Sequence, residues 1–285
     1  MNLPPVKIAV IGGSTILGSG FPGSMEGVEI IEERVVYDTP FGPTAPFTHA
    51  SVDGNNFLFI PFHGITGDIP NMTPNSAGER VFYILLKAGV TKIIGTALCG
   101  STNPLLDPAD VVVPHGFVDY TTKRAQSLFR AIEAKGENAG SFSYRLHQPF
   151  CPRLSDLLVA GSNKAGFPRV FPRGVVGVAE GPRLEFTSEI RLRYSTPGVD
   201  VVTMNLVPEV FFAREIGACY AALELVSNYG EGLVSTEWTG ADAFREFQRH
   251  WRRPSAEALL HAVRYMDAEY DECGCSSNRW PSIFT

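Results

Sequence analysis

The sequence lacks the charge pattern that nucleic-acid binding requires. Its 285 residues contain 24 Lys and Arg against 30 Asp and Glu, which gives a net charge of −6. There is no basic stripe interleaved with aromatic residues, and the one basic cluster, at 250–253, is typical of a solvated helix end. We therefore expect no nucleic-acid partner.

Membrane and targeting segments are also missing from the printed sequence. No apolar run reaches the length of a bilayer span, so no membrane partner is expected. The first residues, MNLPPVKIAVIGG, show neither an arginine-rich transit pattern nor an apolar segment followed by a cleavage site. These absences predict a cytoplasmic protein.

Cysteine is scarce, with five residues at positions 99, 151, 219, 273 and 275. Their spacing along the chain matches neither a zinc motif nor a disulfide framework, so no metal site is expected. Cys273-Gly-Cys275 could form a redox pair; the interpretation that we favour is two incidental thiols in a solvated, flexible tail at 273–285.

A dinucleotide fingerprint is absent as well. Gly12-Gly13-Ser14-Thr15 follows an apolar run directly, as a phosphate-binding loop would. The full glycine pattern is missing, and so is the acidic residue that should follow about 20 positions later. We therefore expect no nicotinamide cofactor, and no other cofactor motif is present.

What the sequence does contain is a series of short apolar runs that end in glycine or polar residues. They predict strands at 6–11, 92–98, 111–114, 173–179, 200–204 and 221–227. A hairpin is predicted at 48–61, with Asp53-Gly54 at its turn. Helical spacing and stop signals predict helices at 75–88, 155–165, 186–194, from Pro208 through Tyr220, and from Ser255 as N-cap to Tyr270. The whole chain is expected to form one α/β domain, with a helical part at about 238–272.

The stretch from Asp200 to Tyr220 is expected to organise the functional site. A β-branched run precedes Met204, Asn205 and Leu206, and Pro208 suits the first turn of a helix. Ligand groups commonly lie where a central strand of an open α/β sheet ends and a helix begins. Met204 and Asn205 are therefore candidate site residues.

A series of short motifs, in order, resembles the trimeric purine nucleoside phosphorylases, specifically the 5′-methylthioadenosine phosphorylase branch. The motifs are Ile11-Gly12-Gly13, Tyr37-Asp38-Thr39-Pro40-Phe41-Gly42, His63-Gly64, Cys99-Gly100-Ser101, Asp119 with Thr121-Thr122, Pro149-Phe150-Cys151-Pro152, Glu180-Gly181-Pro182-Arg183, Met204 and Val207-Pro208-Glu209-Val210. The resemblance covers most of the chain. It implies a three-layer fold with a mixed central β-sheet flanked by helices, a homotrimer, and an active site near a subunit boundary.

The resemblance also implies a phosphate subsite, whose usual residues are largely replaced. The corresponding positions hold Ser14, Phe62 with His63, Ala97, Glu185 and Asn205. Phe62 stands where the family has an Arg, which removes a fixed charge and paired donors. Glu185 adds a negative charge where the anion should bind; two such charges at about 4 Å repel by roughly 4 kcal/mol at an effective dielectric of 20.

The base subsite differs too, while the sugar subsite is better retained. Adenine-specific relatives have two Asp residues where this chain has Asn228 and Gly230, and a stacking aromatic is replaced by Leu184. Asn228 can donate a hydrogen bond to a purine, as in the 6-oxopurine branch, but it cannot transfer a proton. Met204 is retained under the expected ribose, and His63 is expected beside it. The expected substrate-binding residues also include Leu98 and Cys99.

Three functions remain open at this point. The first is a nucleosidase-like enzyme in which Glu185, alone or together with His63, activates water and Asn228 stabilises the leaving heterocycle of a nucleoside-like substrate. The second is ordinary phosphorolysis, with Arg183, Arg124 or a neighbouring subunit supplying the lost charge. The third is a scaffold recruited for other small-molecule chemistry or for binding. Simpler alternatives exist for two residues: His63 as a loop histidine, and Glu185 as a surface carboxylate in the first turn of a helix.

Overall fold

The protein is built on one large mixed sheet. The computed structural model describes residues 3–63, 74–195, 198–234 and 240–282. Its strands are β1 (Ile8–Gly13), β2 (Val28–Val35), β3 (Asp38–Thr39), β4 (Gly42–Pro43), β5 (Phe47–Val52), β6 (Asn55–His63), β7 (Lys92–Ser101), β8 (Val111–Val112), β9 (Gly116–Asp119), β10 (Phe142–Tyr144), β11 (Val170–Phe171), β12 (Val175–Val178), β13 (Val201–Thr203), β14 (Cys219–Tyr229) and β15 (Arg279–Pro281). Its helices are α1 (Pro74–Ala88), α2 (Leu128–Glu133), α3 (Pro152–Lys164), α4 (Thr187–Ser195), α5 (Glu209–Glu215) and α6 (Gly240–Arg264).

The sheet has eleven strands and a parallel centre. Its main path runs β11-β8-β14-β7-β1-β6-β5-β2, and β13, β12 and β9 branch from β7. The neighbours β14 and β7, β7 and β1, and β1 and β6 are all parallel. Their apolar runs are continuous because both faces of the sheet are covered, which is usual for parallel strands. All four strands therefore end at the same edge.

Helices cover the sheet on both faces. The apolar sides of α1, α2 and α5 pack into one hydrophobic cluster with the sheet, and those of α3 and α6 pack into a second. The predicted fold class, a mixed central sheet flanked by helices, is confirmed. The predicted hairpin is present as β5 and β6, with positive φ angles at Asp53 and Gly54 in its turn. The predicted helix at 75–88 is α1, followed by Gly89 at φ +77°.

Two predicted helices were wrong in their bounds. The helix expected to continue through Tyr220 ends at Glu215, and Gly217 at φ +80° turns the chain into β14, which already begins at Cys219. The helix expected to start at Ser255 begins at Gly240 and continues through Pro254. The extra turns are held by packing, since Trp251 stacks on Phe167 with ring centroids 5.0 Å apart.

The C-terminal segment, for which the sequence predicts a flexible tail, contains regular structure in its described part, which reaches residue 282. Residues Arg279–Pro281 pair with Phe142–Tyr144 in a two-stranded sheet. Cys275 and Asn278 are buried. Local sequence patterns do not predict the pairing of β10 with β15, because the two strands are more than 130 residues apart in the chain.

None of the helices in the described part of the chain is long and apolar enough to cross a membrane. The cytoplasmic location stays a prediction.

A buried carboxyl lies in the central strand β14. Glu224 is fully buried, and burial together with the neighbouring Glu209 carboxyl raises its pKa well above the ordinary value. Glu209 is itself buried and accepts a hydrogen bond of 2.9 Å from the Tyr220 hydroxyl. Because burial and a neighbouring carboxyl both disfavour its ionised form, Glu224 is expected to be neutral in the folded protein.

We therefore expect Glu224→Gln to stabilise the protein increasingly as pH rises. The raised pKa means that the folded state keeps a proton that the unfolded state loses above its ordinary carboxyl pKa, so wild-type stability falls between the two pKa values. The limiting slope is about 1.4 kcal/mol per pH unit. Urea unfolding of both proteins at pH 5 and pH 8 measures the difference, which should be larger at pH 8. A difference that is equal at the two pH values, or larger at pH 5, would contradict a neutral Glu224.

Candidate active site

A cavity of about 300 Å³ opens at the edge where the parallel strands end. It lies within the usual size range of small-molecule sites. Its walls come from the ends of β7, β13 and β14, from the loops after β1 and before α4, and from α6. The residues that line it are Ser14, Leu98, Cys99, Gly100, Leu184, Glu185, Val202, Thr203, Met204, Asn205, Ser227, Asn228, Gly230, Glu231 and Phe244.

A bulge at the end of β14 directs its last residues into this cavity. The register of β14 on β7 shifts between Val226 and Asn228, so Ser227 is an extra residue and Asn228 pairs with Gly100. Bulges change the direction of side chains at the ends of strands and are common beside active sites. The wall after β13 also has an unusual backbone, since Leu206 has φ +71° and is buried. Such strained positions concentrate at functional sites.

The Asn228 amide is held in one orientation by its neighbours. Its Oδ1 lies 2.7 Å from the Ser227 hydroxyl, and its Nδ2 donates to the Tyr229 carbonyl at 2.9 Å. The Ser227 hydroxyl also lies 3.1 Å from the Cys99 carbonyl, which ties β14 to β7. An amide nitrogen has two hydrogens, so one remains available to a ligand. Asn228 can therefore donate to a bound heterocycle.

The charged side chains on the cavity wall are carboxylates. Glu185 lies 3.9 Å from Arg193, and both side chains are only about one-tenth exposed. The Arg193 guanidinium carbon also lies 4.8 Å from the centroid of the Tyr120 ring, so Arg193 contacts both Glu185 and Tyr120. Glu231 is the second carboxylate. Among the described residues that line the cavity there is no Lys, Arg or His.

The two arginines proposed as substitutes for the missing phosphate ligand are both engaged elsewhere. The buried Arg124 guanidinium donates to the Ala179 and Glu180 carbonyls at 2.9 Å each, and also to the Val207 carbonyl. Arg183 is largely exposed and forms a two-pronged ion pair with Glu189 at 2.8 and 2.9 Å. That pairing lowers the pKa of Glu189 to about 2. Arg124 thus clamps the loop that carries Glu180 and Gly181, and neither arginine lines the cavity.

Two glycines are required by close contacts at the site. A Cβ at Gly181, where φ is +69°, would come within 2.6 Å of the Met204 sulfur. A Cβ at Gly230 would lie 2.9 Å from both the Ser101 carbonyl and Ile190. An Asp at position 230, as the adenine-specific branch is expected to have, therefore cannot be accommodated without movement of Ser101 or Ile190.

Most of the residues predicted from the sequence meet in this cavity. The structure brings together Ser14, Leu98, Cys99, Leu184, Glu185, Met204, Asn205, Asn228 and Gly230. Ala97 is not among the lining residues: it is buried within β7, where its partner on β14 is Glu224. β6 ends at His63, but the side chains of Phe62 and His63 lie outside the described residues.

Several lining residues were missed by the sequence. Phe244 belongs to α6, which is distant in the chain. Glu231 directly follows Gly230, so its position could have been inferred from that of Gly230. Ser227 could have been found from its place beside Asn228. The others are Gly100, Val202 and Thr203, which flank residues already identified.

Cys99 is unsuited to act as a nucleophile. Burial raises the pKa of its thiol well above the ordinary value. A thiol must be deprotonated to react, so Cys99 serves as an apolar wall residue. The group of potential metal ligands that the described residues contain lies outside this cavity, at four other cysteines.

Sequence comparison shows which protein family this chain is similar to. Residues 7–264 match the family model described as "Phosphorylase superfamily". The chain is 30% identical to the 6-oxopurine nucleoside phosphorylase of Pyrococcus furiosus over 270 residues, which covers 94% of this chain and 96% of that protein. It is 31% identical to the S-methyl-5′-thioadenosine phosphorylase of Aedes aegypti, over 79% of this chain and 77% of the relative.

A solved structure shows the same similarity in three dimensions. Methylthioadenosine phosphorylase from Schistosoma mansoni, in complex with adenine, superposes with a TM-score of 0.79 at 26% identity. The match covers 96% of both chains. The similarity therefore extends over the entire sheet and not only over the motifs.

Proposed function

Because this chain belongs to the phosphorylase superfamily, we propose that it cleaves the N-glycosidic bond of a purine-type nucleoside, with water as the acceptor in place of phosphate. The family relationship predicted from the motifs is confirmed, and so is the class of glycosidic-bond-cleaving enzymes. The choice of water is our proposal, and it rests on the charges of the cavity wall.

The acidic wall of the cavity supports water, and not phosphate, as the acceptor of the sugar. Glu185 and Glu231 are its charged residues among those described, and Arg193 is already paired with Glu185. A phosphate group carries close to two negative charges at neutral pH. At about 4 Å, each pair of like charges costs roughly 4 kcal/mol at an effective dielectric of 20. A neutral water molecule avoids this repulsion, and a carboxylate can activate it.

In the proposed reaction, Glu185 acts as general base. Its carboxylate accepts a proton from water as the oxygen forms a bond to C1 of the sugar, and the glycosidic C–N bond breaks. The electron pair of that bond moves into the purine ring, where the Asn228 N–H donates a hydrogen bond to the developing negative charge. Met204 and the apolar residues Leu98, Val202 and Phe244 provide the surface against which the substrate packs.

We propose a 6-oxopurine as the leaving base. Asn228 keeps a free N–H that can donate to a ring nitrogen or to a 6-oxo group, whereas an adenine amino group requires an acceptor. The absence of space for a side chain at Gly230 supports the same preference, because the second Asp of adenine-specific relatives cannot fit. The similarity to a 6-oxopurine nucleoside phosphorylase agrees with this assignment.

Phosphorolysis is the second candidate, and the relatives favour it. The chain is 30% and 31% identical to two nucleoside phosphorylases. The hydroxyl of Ser14, on the cavity wall, is a suitable hydrogen-bond donor to a phosphate group. A phosphate ligand would then have to come from outside the described residues or from another subunit. A kinetic comparison with and without phosphate distinguishes the two candidates.

We also propose that the protein is a homotrimer with the site near a subunit boundary, as the resemblance implies. The support from the structure is a group of exposed apolar side chains beside the cavity mouth, Leu184, Phe186 and Leu192. Large exposed apolar patches commonly mark protein–protein interfaces.

Glu185→Gln should reduce turnover sharply if Glu185 is the base. We expect kcat for inosine in phosphate-free buffer to fall about 10²- to 10⁴-fold, with a much smaller change in KM, because general bases contribute that much to the chemical step. Glu231→Gln is the matched control, since it removes the other carboxylate of the cavity, and it should cost far less in kcat. Glu185→Ser should lose hydrolytic activity to a similar extent, because a serine hydroxyl cannot replace the carboxylate as a base. Hydrolysis that continues near the wild-type rate in either Glu185 variant would refute the base assignment.

Asn228→Asp should shift base preference away from 6-oxopurines. The substitution removes a hydrogen-bond donor to the base and adds a negative charge. We therefore expect kcat/KM for inosine to fall about 10- to 100-fold, with a smaller fall for adenosine. Asn205→Asp makes the same chemical change elsewhere in the cavity and should leave the inosine-to-adenosine ratio near its wild-type value. If both variants changed that ratio equally, Asn228 would not be the base-recognition residue.

Light scattering coupled to size-exclusion chromatography tests the assembly. The account predicts a particle of three times the chain mass, and Phe186→Asp combined with Leu192→Asp should dissociate it. Their exposure in the single chain means that these substitutions cost little folding stability. A wild-type protein that elutes as a monomer would contradict the trimer.

A further inference from the structure

Four of the five cysteines lie together on the side of the molecule where the parallel strands begin. The Sγ atoms of Cys151, Cys219, Cys273 and Cys275 all lie within 4.8 Å of one another. Cys151 precedes α3, Cys219 is the first residue of β14, and the other two follow α6. Three are buried, and Cys273 is partly exposed. The cluster joins residues from Cys151 to Cys275, which are 124 positions apart, and linear spacing therefore did not indicate a site.

The distances between the sulfur atoms fit metal coordination better than disulfide bonding. All five cysteines are free thiols, and the Cys219 and Cys273 sulfurs are 3.4 Å apart. A disulfide bond would place them at about 2.05 Å. In a tetrahedral zinc site, with Zn–S bonds of about 2.3 Å, neighbouring sulfurs lie about 3.8 Å apart. The cluster therefore needs only small adjustments to surround a metal ion.

Positive groups lie beside the sulfur cluster. Lys92 is buried, and its ammonium group lies 3.8 Å from the Cys219 sulfur. No carboxylate among the described residues forms an ion pair with Lys92, so the cysteine cluster is the natural source of its counter-charge. Cys151 occupies the N-cap of α3, where the helix dipole stabilises negative charge. These positive groups would offset the negative charge of a metal–thiolate site.

The cluster also explains the ordered C-terminal segment. Arg214 donates to the Cys275 carbonyl, and the Asn278 side chain donates to the Gly274 carbonyl at 2.9 Å. These contacts hold the turn between the two cysteines immediately before β15. A bound ion would connect this turn to both β14 and α3.

From this geometry we propose that Cys151, Cys219, Cys273 and Cys275 bind one zinc ion in a tetrahedral, structural site. Four thiolates leave no open coordination position, so the ion stabilises the fold and takes no part in catalysis. Four thiolates and one divalent cation together carry two negative charges, and the positive charge of Lys92 offsets one of them.

Metal content is the direct test. The full chain, prepared without a polyhistidine tag under reducing conditions, should contain one zinc ion per chain by plasma mass spectrometry. The Cys273→Ser/Cys275→Ser double variant should lose this zinc by roughly tenfold or more. Cys99→Ser is the matched control, since it removes the one cysteine outside the cluster, and it should retain the metal.

Co²⁺ substitution of the wild-type protein provides a test that does not depend on the folding of the double variant. Wild-type protein stripped of metal and reconstituted with Co²⁺ should show the intense thiolate charge-transfer and visible bands of a tetrahedral tetrathiolate site. Its thermal midpoint should fall when a chelator removes the metal. Metal-free protein whose intact mass is lower by two hydrogens per bridge would show that the cysteines form disulfides, and four free thiols that bind neither Zn²⁺ nor Co²⁺ would equally overturn the proposal.

Discussion

The parallel alignment of β6, β1, β7 and β14 is the constraint on which the rest of the structure depends. Parallel pairing forces all four strands to end at one edge, where the side chains after each strand converge. The same alignment forces the strands to begin at the opposite edge, where Lys92 and Cys219 are partners in register. One side of the sheet thus carries the cavity proposed as the active site, and the other carries the cysteine cluster.

Charge decides what the cavity can bind. Family members with a phosphate acceptor need a cationic subsite, yet the described wall of this cavity has two carboxylates, and the nearby arginines are committed to structural contacts. Arg124 holds the loop at Ala179 and Glu180, and Arg183 holds Glu189. The fold of the family is retained and the described part of the cavity wall carries negative charge, so the family relationship alone does not determine the acceptor.

The sequence predicted the fold and most of the cavity because both depend on local patterns. Apolar runs that end in glycine or polar residues identify strand ends, and the order of the motifs predicts that Met204, Asn205 and Asn228 share one site. The errors arose where tertiary packing overrides local signals. Gly217 ends α5 early although the apolar spacing continues, and Trp251 holds α6 together across Pro254, which local rules treat as a boundary. The cysteine cluster and the pairing of β15 depend on contacts between distant segments, and no spacing rule detects those.

The central claim is that water, and not phosphate, attacks C1 of the sugar. The most direct measurement is the cleavage of inosine in ¹⁸O-labelled water containing ordinary phosphate, followed by mass spectrometry of the sugar product. The account predicts free ribose that carries the heavy isotope at C1, formed at the same rate when phosphate is left out. Unlabelled ribose 1-phosphate, formed only when phosphate is present, would contradict it.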